Sequence, residues 1–142
     1  MINKHNGDIQ LSNELMIGSN FNLAAFTDSA DFHLWEAHER NDEQDKSYQR
    51  NLLDIAGRPL TVLLSFYRMK LDAVFLSYQI ADEPNNPIGP IARQFTFHES
   101  WLRNELGDAP YNYIWGWIGH GGCATPGPAH AIVVLFRPVL DT

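Results

Sequence analysis

Residues 59–78 read PLTVLLSFYRMKLDAVFLSY, and this stretch decides the fold class. Leu60, Val62, Leu64 and Phe66 alternate with Thr61, Leu63, Ser65 and Tyr67, the period-two pattern of a strand. Ala73, Phe75, Ser77 and Gln79 then alternate with Val74, Leu76, Tyr78 and Ile80, and many of these side chains suit a pleated surface. Arg68-Met69-Lys70 is short enough for a hairpin loop, although it lacks the glycine such loops usually carry. Upstream, Ala56-Gly57 gives a turn signal ahead of Pro59, so Tyr48 to Asp54 is expected as a preceding antiparallel strand. Downstream, EPNNPIGP (Glu83 to Pro90) ends the sheet signal.

A helix follows. Pro90 suits a first-turn position, Thr96-x-x-Glu99 offers a capping box for a shorter version, and Gly107 is a natural residue just past the end. Ile91, Phe95, His98, Leu102 and Leu106 fall on one helical face, and Trp101 widens the stripe. Two more strands are expected at Tyr111 to Gly119 and Ala129 to Arg137, with the loop GHGGCATPGP between them. Near the N-terminus, Asp8 to Leu11 reads as a short strand. Asn22 to Ser29 reads as a short helix capped by Asn20 or Asn22. The expected architecture is a single α+β domain over residues 1–142: a mostly antiparallel sheet of about five strands, one main helix on one face and a short N-terminal helix.

The 142 residues are 44% hydrophobic and 19% charged, an ordinary globular composition. Seventeen acids against ten bases leave a net charge of −7, which argues against nucleic acid or an anionic membrane as partner. Most of that excess is local. Asp28, Asp31, Glu36, Glu39, Asp42, Glu43 and Asp45 are opposed in residues 28–45 only by Arg40, so this segment is net −6. Its plain reading is a solvated face; its functional reading is an electrostatic docking surface for a basic protein. The acids do not recur at EF-hand spacing. The N-terminus has no secretory h-region, and the apolar runs Leu60 to Leu64 and Ala131 to Phe136 are too short to span a bilayer. A cytoplasmic location is the expectation, with no membrane partner, and the lone Cys123 suits a reducing compartment.

No metal or cofactor site is read from the histidines. His33 and His38 would point about 140° apart on a helix and to opposite faces of a strand, so they do not reproduce HExxH. GHGGC (Gly119 to Cys123) resembles an oxyanion turn, yet no G-x-S-x-G elbow accompanies it. Cys123 with His120 or His130 is the one candidate catalytic pair, against the plainer reading of a glycine-rich hairpin tip. Tyr111, Tyr113, Trp115 and Trp117 alternate, which would put them on one strand face opposite Ile114 and Ile118. Such a face is either core beneath Phe95 and Trp101 or a recognition surface.

Four segments carry a resemblance: PLTVLLSFYRMKLDAVFLSY (59–78), HESWLRNELG (98–107), YNYIWGWI (111–118) and AIVVLF (131–136). Across residues 48–137 the chain resembles small, uncharacterised bacterial proteins of accessory or immunity type, with GHGGCATPGP standing where that group has a shorter polar turn. The resemblance implies a non-catalytic immunity or inhibitor role but assigns no functional residue. The leading expectation is therefore a protein that docks a partner protein, such as a toxin, through Glu36, Glu39, Asp42, Glu43, Asp45, Trp115 and Trp117. The alternatives are a small hydrolase or transferase using Cys123 with His120 or His130, and a structural subunit that buries an aromatic sheet face between identical chains.

Overall fold

Arg68 and Met69 form the tight turn that the hairpin requires. In the computed structural model of the chain, Tyr67 pairs with Lys70, and the two residues between them have φ of 49° and 73°. Positive φ at both positions is the mark of a type I′ turn, normally the preserve of Asn and Gly. Neighbouring backbone holds it in place: Arg68 N–H donates to the Gln44 carbonyl, and Leu23 N–H donates to the Met69 carbonyl.

The structure describes residues 1–18, 20–38, 41–124 and 128–137, with the side chains at 123, 124 and 128 also outside the description. In chain order the strands are β1 (Ile9–Gln10), β2 (Met16–Ile17), β3 (Glu36–Ala37), β4 (Asp45–Leu53), β5 (Pro59–Tyr67) and β6 (Lys70–Tyr78), followed by β7 (Tyr111–Tyr113), β8 (Gly116–Ala124) and β9 (Pro128–Leu135). The helices are α1 (Leu23–Thr27) and α2 (Pro90–Leu106), and a single 3₁₀ turn spans Phe32–Leu34. Seven strands form one sheet in the order β3-β4-β5-β6-β9-β8-β7, every neighbouring pair antiparallel, while β1 and β2 make a separate ribbon. The α+β class stands as expected; the sheet is wider than anticipated.

Alternation sorts the sheet into two faces. Leu60, Val62, Leu64, Val74, Leu76, Tyr78, Ile132 and Val134 are completely buried on the inner face. Both helices and the β1–β2 ribbon cover it: Phe26 of α1 packs against Phe66 and Tyr48, Leu102 and Leu106 of α2 join the same core, and so do Ile9 and Ile17. The outer face carries cross-strand rows that include Leu63, Phe75 and Val133, and next to them Leu135 and Trp117.

Asn22 caps α1 by accepting from Ala25 N–H, as the sequence suggested. For α2 the limits agree, with Gly89 before Pro90 and Gly107 at φ 86° after Leu106, but the buried stripe differs. Gln94, His98, Leu102 and Leu106 are buried, whereas Ile91 and Phe95 remain 49% and 38% exposed. Thr96 lies within the helix and donates to the Ala92 carbonyl, so it is no capping box.

The expected strand from Tyr111 to Gly119 is two strands. Tyr113 pairs with Gly116 across a turn at Ile114 and Trp115, which leaves Ile114 95% exposed. A side chain at Gly116 would collide with the Leu135 carbonyl, so only glycine permits this close approach of β8 to β9. The turn breaks the alternation, and the four aromatics do not share a face. Nor is GHGGCATPGP wholly a loop: β8 runs to Ala124 and β9 starts at Pro128. The Trp117 indole lies across Gly119, where any Cβ would clash, so this glycine makes room for a ring rather than breaking the strand.

Candidate functional site

The ladder between β6 and β9 runs from Ala73–Leu135 to Leu76–Ile132 and stops. The next inner-face pair, Tyr78 and His130, is held apart, yet its buried backbone groups still require partners. Side chains supply them. Tyr78 N–H donates to His98 Nε2 at 3.0 Å, and the Tyr78 carbonyl accepts from Gln94 Nε2 at 2.7 Å. His130 N–H donates to Gln94 Oε1 at 2.8 Å, and the His130 carbonyl accepts from Ser77 Oγ at 2.9 Å. The Gln94 amide thus acts as an inserted peptide group between two strands. Among the described residues, no buried side-chain nitrogen or oxygen lacks a partner.

From this wedge a chain of three imidazoles runs outward. His98 Nδ1 lies 2.7 Å from His130 Nδ1, and His130 Nε2 lies 3.1 Å from His120 Nδ1. His98 is fully buried, His130 nearly so, and His120 is exposed. Phe95 covers the outer pair, its ring centroid 4.6 Å from that of His120 and 5.0 Å from that of His130. One backbone group fixes the direction of the chain. The Tyr78 N–H can only donate, so neutral His98 holds a lone pair on Nε2 and its proton on Nδ1. His98 then donates to His130, His130 donates through Nε2 to His120, and the His120 proton sits on its outer nitrogen, Nε2. The chain suits uncharged rings. Burial, with His130 and His120 adding repulsion, pushes His98 down to about 3 from the ordinary 6.5. Burial and then His120 also lower His130.

Two of the three candidate catalytic residues, His120 and His130, therefore meet; Cys123 pairs in backbone register with Ala129, and its thiol lies outside the described residues. Both His130 nitrogens are occupied within the chain. Among the described residues nothing bonds the outer nitrogen of His120, and the chain's polarity makes that nitrogen a donor. Neither ring can accept a thiol proton while the chain is intact, as a cysteine nucleophile would require. Gly119 to Cys123 run in the β8–β9 ladder, not in a turn of converging N–H groups. His120 also borders a polar pocket of about 300 Å³ with Glu99, Arg103, Asp108 and Tyr111.

The candidate binding residues divide between opposite edges of the sheet. Glu36 is exposed on the two-residue edge strand β3, opposite Gln49. Asp42, Glu43 and Asp45 are exposed where the chain enters β4, while Glu39 lies outside the described residues. The Asp42 carboxylate accepts from Gln44 N–H and Asp45 N–H, both at 2.8 Å, and the Asp45 bond and then the Gln44 bond lower its pKa. Behind this edge, Asp31 pairs with Arg50 at 2.9 Å. At the far end, Trp115 is packed inward: its Nε1 donates to the Lys4 carbonyl at 2.8 Å and its ring stacks on Tyr113 at 5.1 Å. Trp117 stands on the outer face, so the two tryptophans do not form one surface with each other or with the acids.

His33, in the 3₁₀ turn, contacts the Ala30 carbonyl at 3.1 Å. Among the described residues, no three His, Cys, Asp or Glu are grouped to hold a metal, and no described helix is long and apolar enough to cross a membrane. Sequence reasoning missed Gln94 altogether and read His98 as part of an apolar stripe. The available signal was a pair of polar side chains four apart on that stripe. Compared with protein-family models, curated proteins and solved structures, the chain matches none.

Proposed function

We propose that this chain is a binding protein of immunity or inhibitor type, and that it docks a basic partner protein through the β3 edge. The observation that carries this reading is the exposure of Glu36, Asp42, Glu43 and Asp45 at one end of the seven-stranded sheet. These carboxylates are displayed on a short edge strand, the loop beside it and the first residue of β4. Like charges gathered there set up a field that accelerates encounter with a basic surface and disfavours acidic competitors. A toxin whose active site attracts phosphate has such a surface, and a cytoplasmic location fits this role. A cysteine-dependent hydrolase or transferase finds less support, because the histidine chain leaves His120 as a donor and His130 fully engaged.

The test is co-purification with the products of neighbouring genes, followed by affinity measurements at rising salt. The complex is expected to weaken steeply with salt, and a Glu36→Gln/Glu43→Gln/Asp45→Asn variant to weaken it at low salt. The reading fails if no neighbouring product forms a stable complex, or if the triple variant binds as tightly as the native chain.

A second reading rests on the outer sheet face, where Leu63, Phe75, Leu135 and Trp117 are half-buried and both described helices lie on the other side. A structural subunit would cover this face with its own copy. Sedimentation of the native chain and a Phe75→Ser/Trp117→Ser variant tests it: self-association lost in the variant supports the reading, and a monomeric native chain overturns it.

A further inference from the structure

Beside the acidic edge is an apolar cavity of about 370 Å³, walled by Phe21, Phe26, Trp35 and Leu64, with Glu14 and Asp31 also lining it. Its size falls within the range of ligand pockets, and its composition has the common form of apolar walls with a few polar groups. Phe26 meets Phe21 edge-on at 5.7 Å and Trp35 edge-on at 5.4 Å, so the walls are fixed by mutual packing. Trp35 immediately precedes Glu36 of β3, which makes the cavity continuous in sequence with the proposed docking edge.

We infer that this cavity is the anchor subsite of that edge and takes an arginine side chain from the partner protein. The inference rests on the docking reading above. An arginine has an apolar stem for the aromatic and aliphatic walls and a planar cation for the carboxylates and ring faces. The chain itself contains an example of this chemistry at the same wall: the Arg50 guanidinium stands 5.8 Å from the Trp35 ring and bonds Asp31 at 2.9 Å. Arg50 engages one oxygen of Asp31, and Glu14 adds a second, exposed carboxylate. With Asp31 paired to Arg50, Glu14 keeps this lining net negative, which disfavours an acidic side chain, and a purely aliphatic one would leave the Glu14 carboxylate unused.

The probe is N-acetyl-arginine amide, titrated into the intact protein and followed by amide and indole NMR signals, with N-acetyl-norleucine amide as the uncharged comparison. Arginine amide is expected to shift the Trp35 indole and the Ala30 and Met16 amides, and to bind roughly 3- to 10-fold more tightly than norleucine amide. Glu14→Gln, at an exposed position, should reduce that preference. Ala30→Trp, which fills the cavity mouth, should abolish both titrations. Equal shifts from the two amides, shifts mapping elsewhere, or a preference unchanged by Glu14→Gln would overturn the assignment. If the triple charge variant weakens the partner complex but Ala30→Trp, folded by its NMR dispersion, does not, the cavity is not the anchor and the docking edge stands. If no partner complex forms while arginine amide still binds selectively, the docking reading falls and the cavity's ligand chemistry survives.

Discussion

Replacing His98 with glutamine tests the imidazole chain at its buried end. A glutamine Oε1 can take over as acceptor for the Tyr78 N–H, so the substitution preserves that bond while removing the titratable ring. In the fold His98 is pushed down to about 3 from 6.5 by burial and by the neighbouring rings. The unfolded chain therefore binds a proton as pH falls through 6.5, and the folded chain refuses it until near pH 3. The stability contribution is present above the ordinary imidazole value and is lost progressively with acidification. At one decade per 1.36 kcal/mol, the full loss is about 4–5 kcal/mol, of which about 2 kcal/mol falls between about pH 7.5 and about pH 5. His130, also lowered, changes stability in the same direction. Urea unfolding at both pH values gives the measurement: the native chain should lose about 2 kcal/mol more than His98→Gln on acidification. Equal pH dependence in the two proteins, or a His98 ring signal titrating near 6.5 by NMR, would refute the buried neutral chain.

Gln94→Leu strands the Tyr78 carbonyl and the His130 N–H, and should cost about 2–5 kcal/mol in denaturant unfolding. Replacing Arg68-Met69 by Asn-Gly relieves two positive-φ positions and should raise stability by about 1 kcal/mol; a lower melting temperature would contradict the type I′ assignment. Gly7→Ala puts a methyl group against the Trp115 ring at φ 79°, with an expected loss of on the order of 1–3 kcal/mol and a change in tryptophan emission.

Local patterns carried most of the fold. Alternation from Leu60 to Tyr78 located β5 and β6, Asn22 started α1, and Pro90 and Gly107 bounded α2, because period, caps and turns act over a few residues. The misreadings share one cause. Tyr111 to Gly119 alternates faultlessly, but the close approach that Gly116 permits folds it into a hairpin, and no local pattern records that contact. The glycines of β8 signalled a loop because the ring above Gly119 belongs to packing within the sheet.

The candidate site divides in the same way. The sequence by itself determined the α+β class and the segregation of acid into residues 28–45, and it put His120 in a loop leading to the strand that carries His130. Only the tertiary structure decided that Trp115 turns inward, that an aromatic cavity lies beside the acids, and that three histidines form one directed chain. The physical reason is that His98 lies thirty-two residues from His130 and meets it only where β6 and β9 part. There the demand of unpaired backbone groups for partners draws in Gln94 and His98, and a single N–H sets the direction of every proton beyond it.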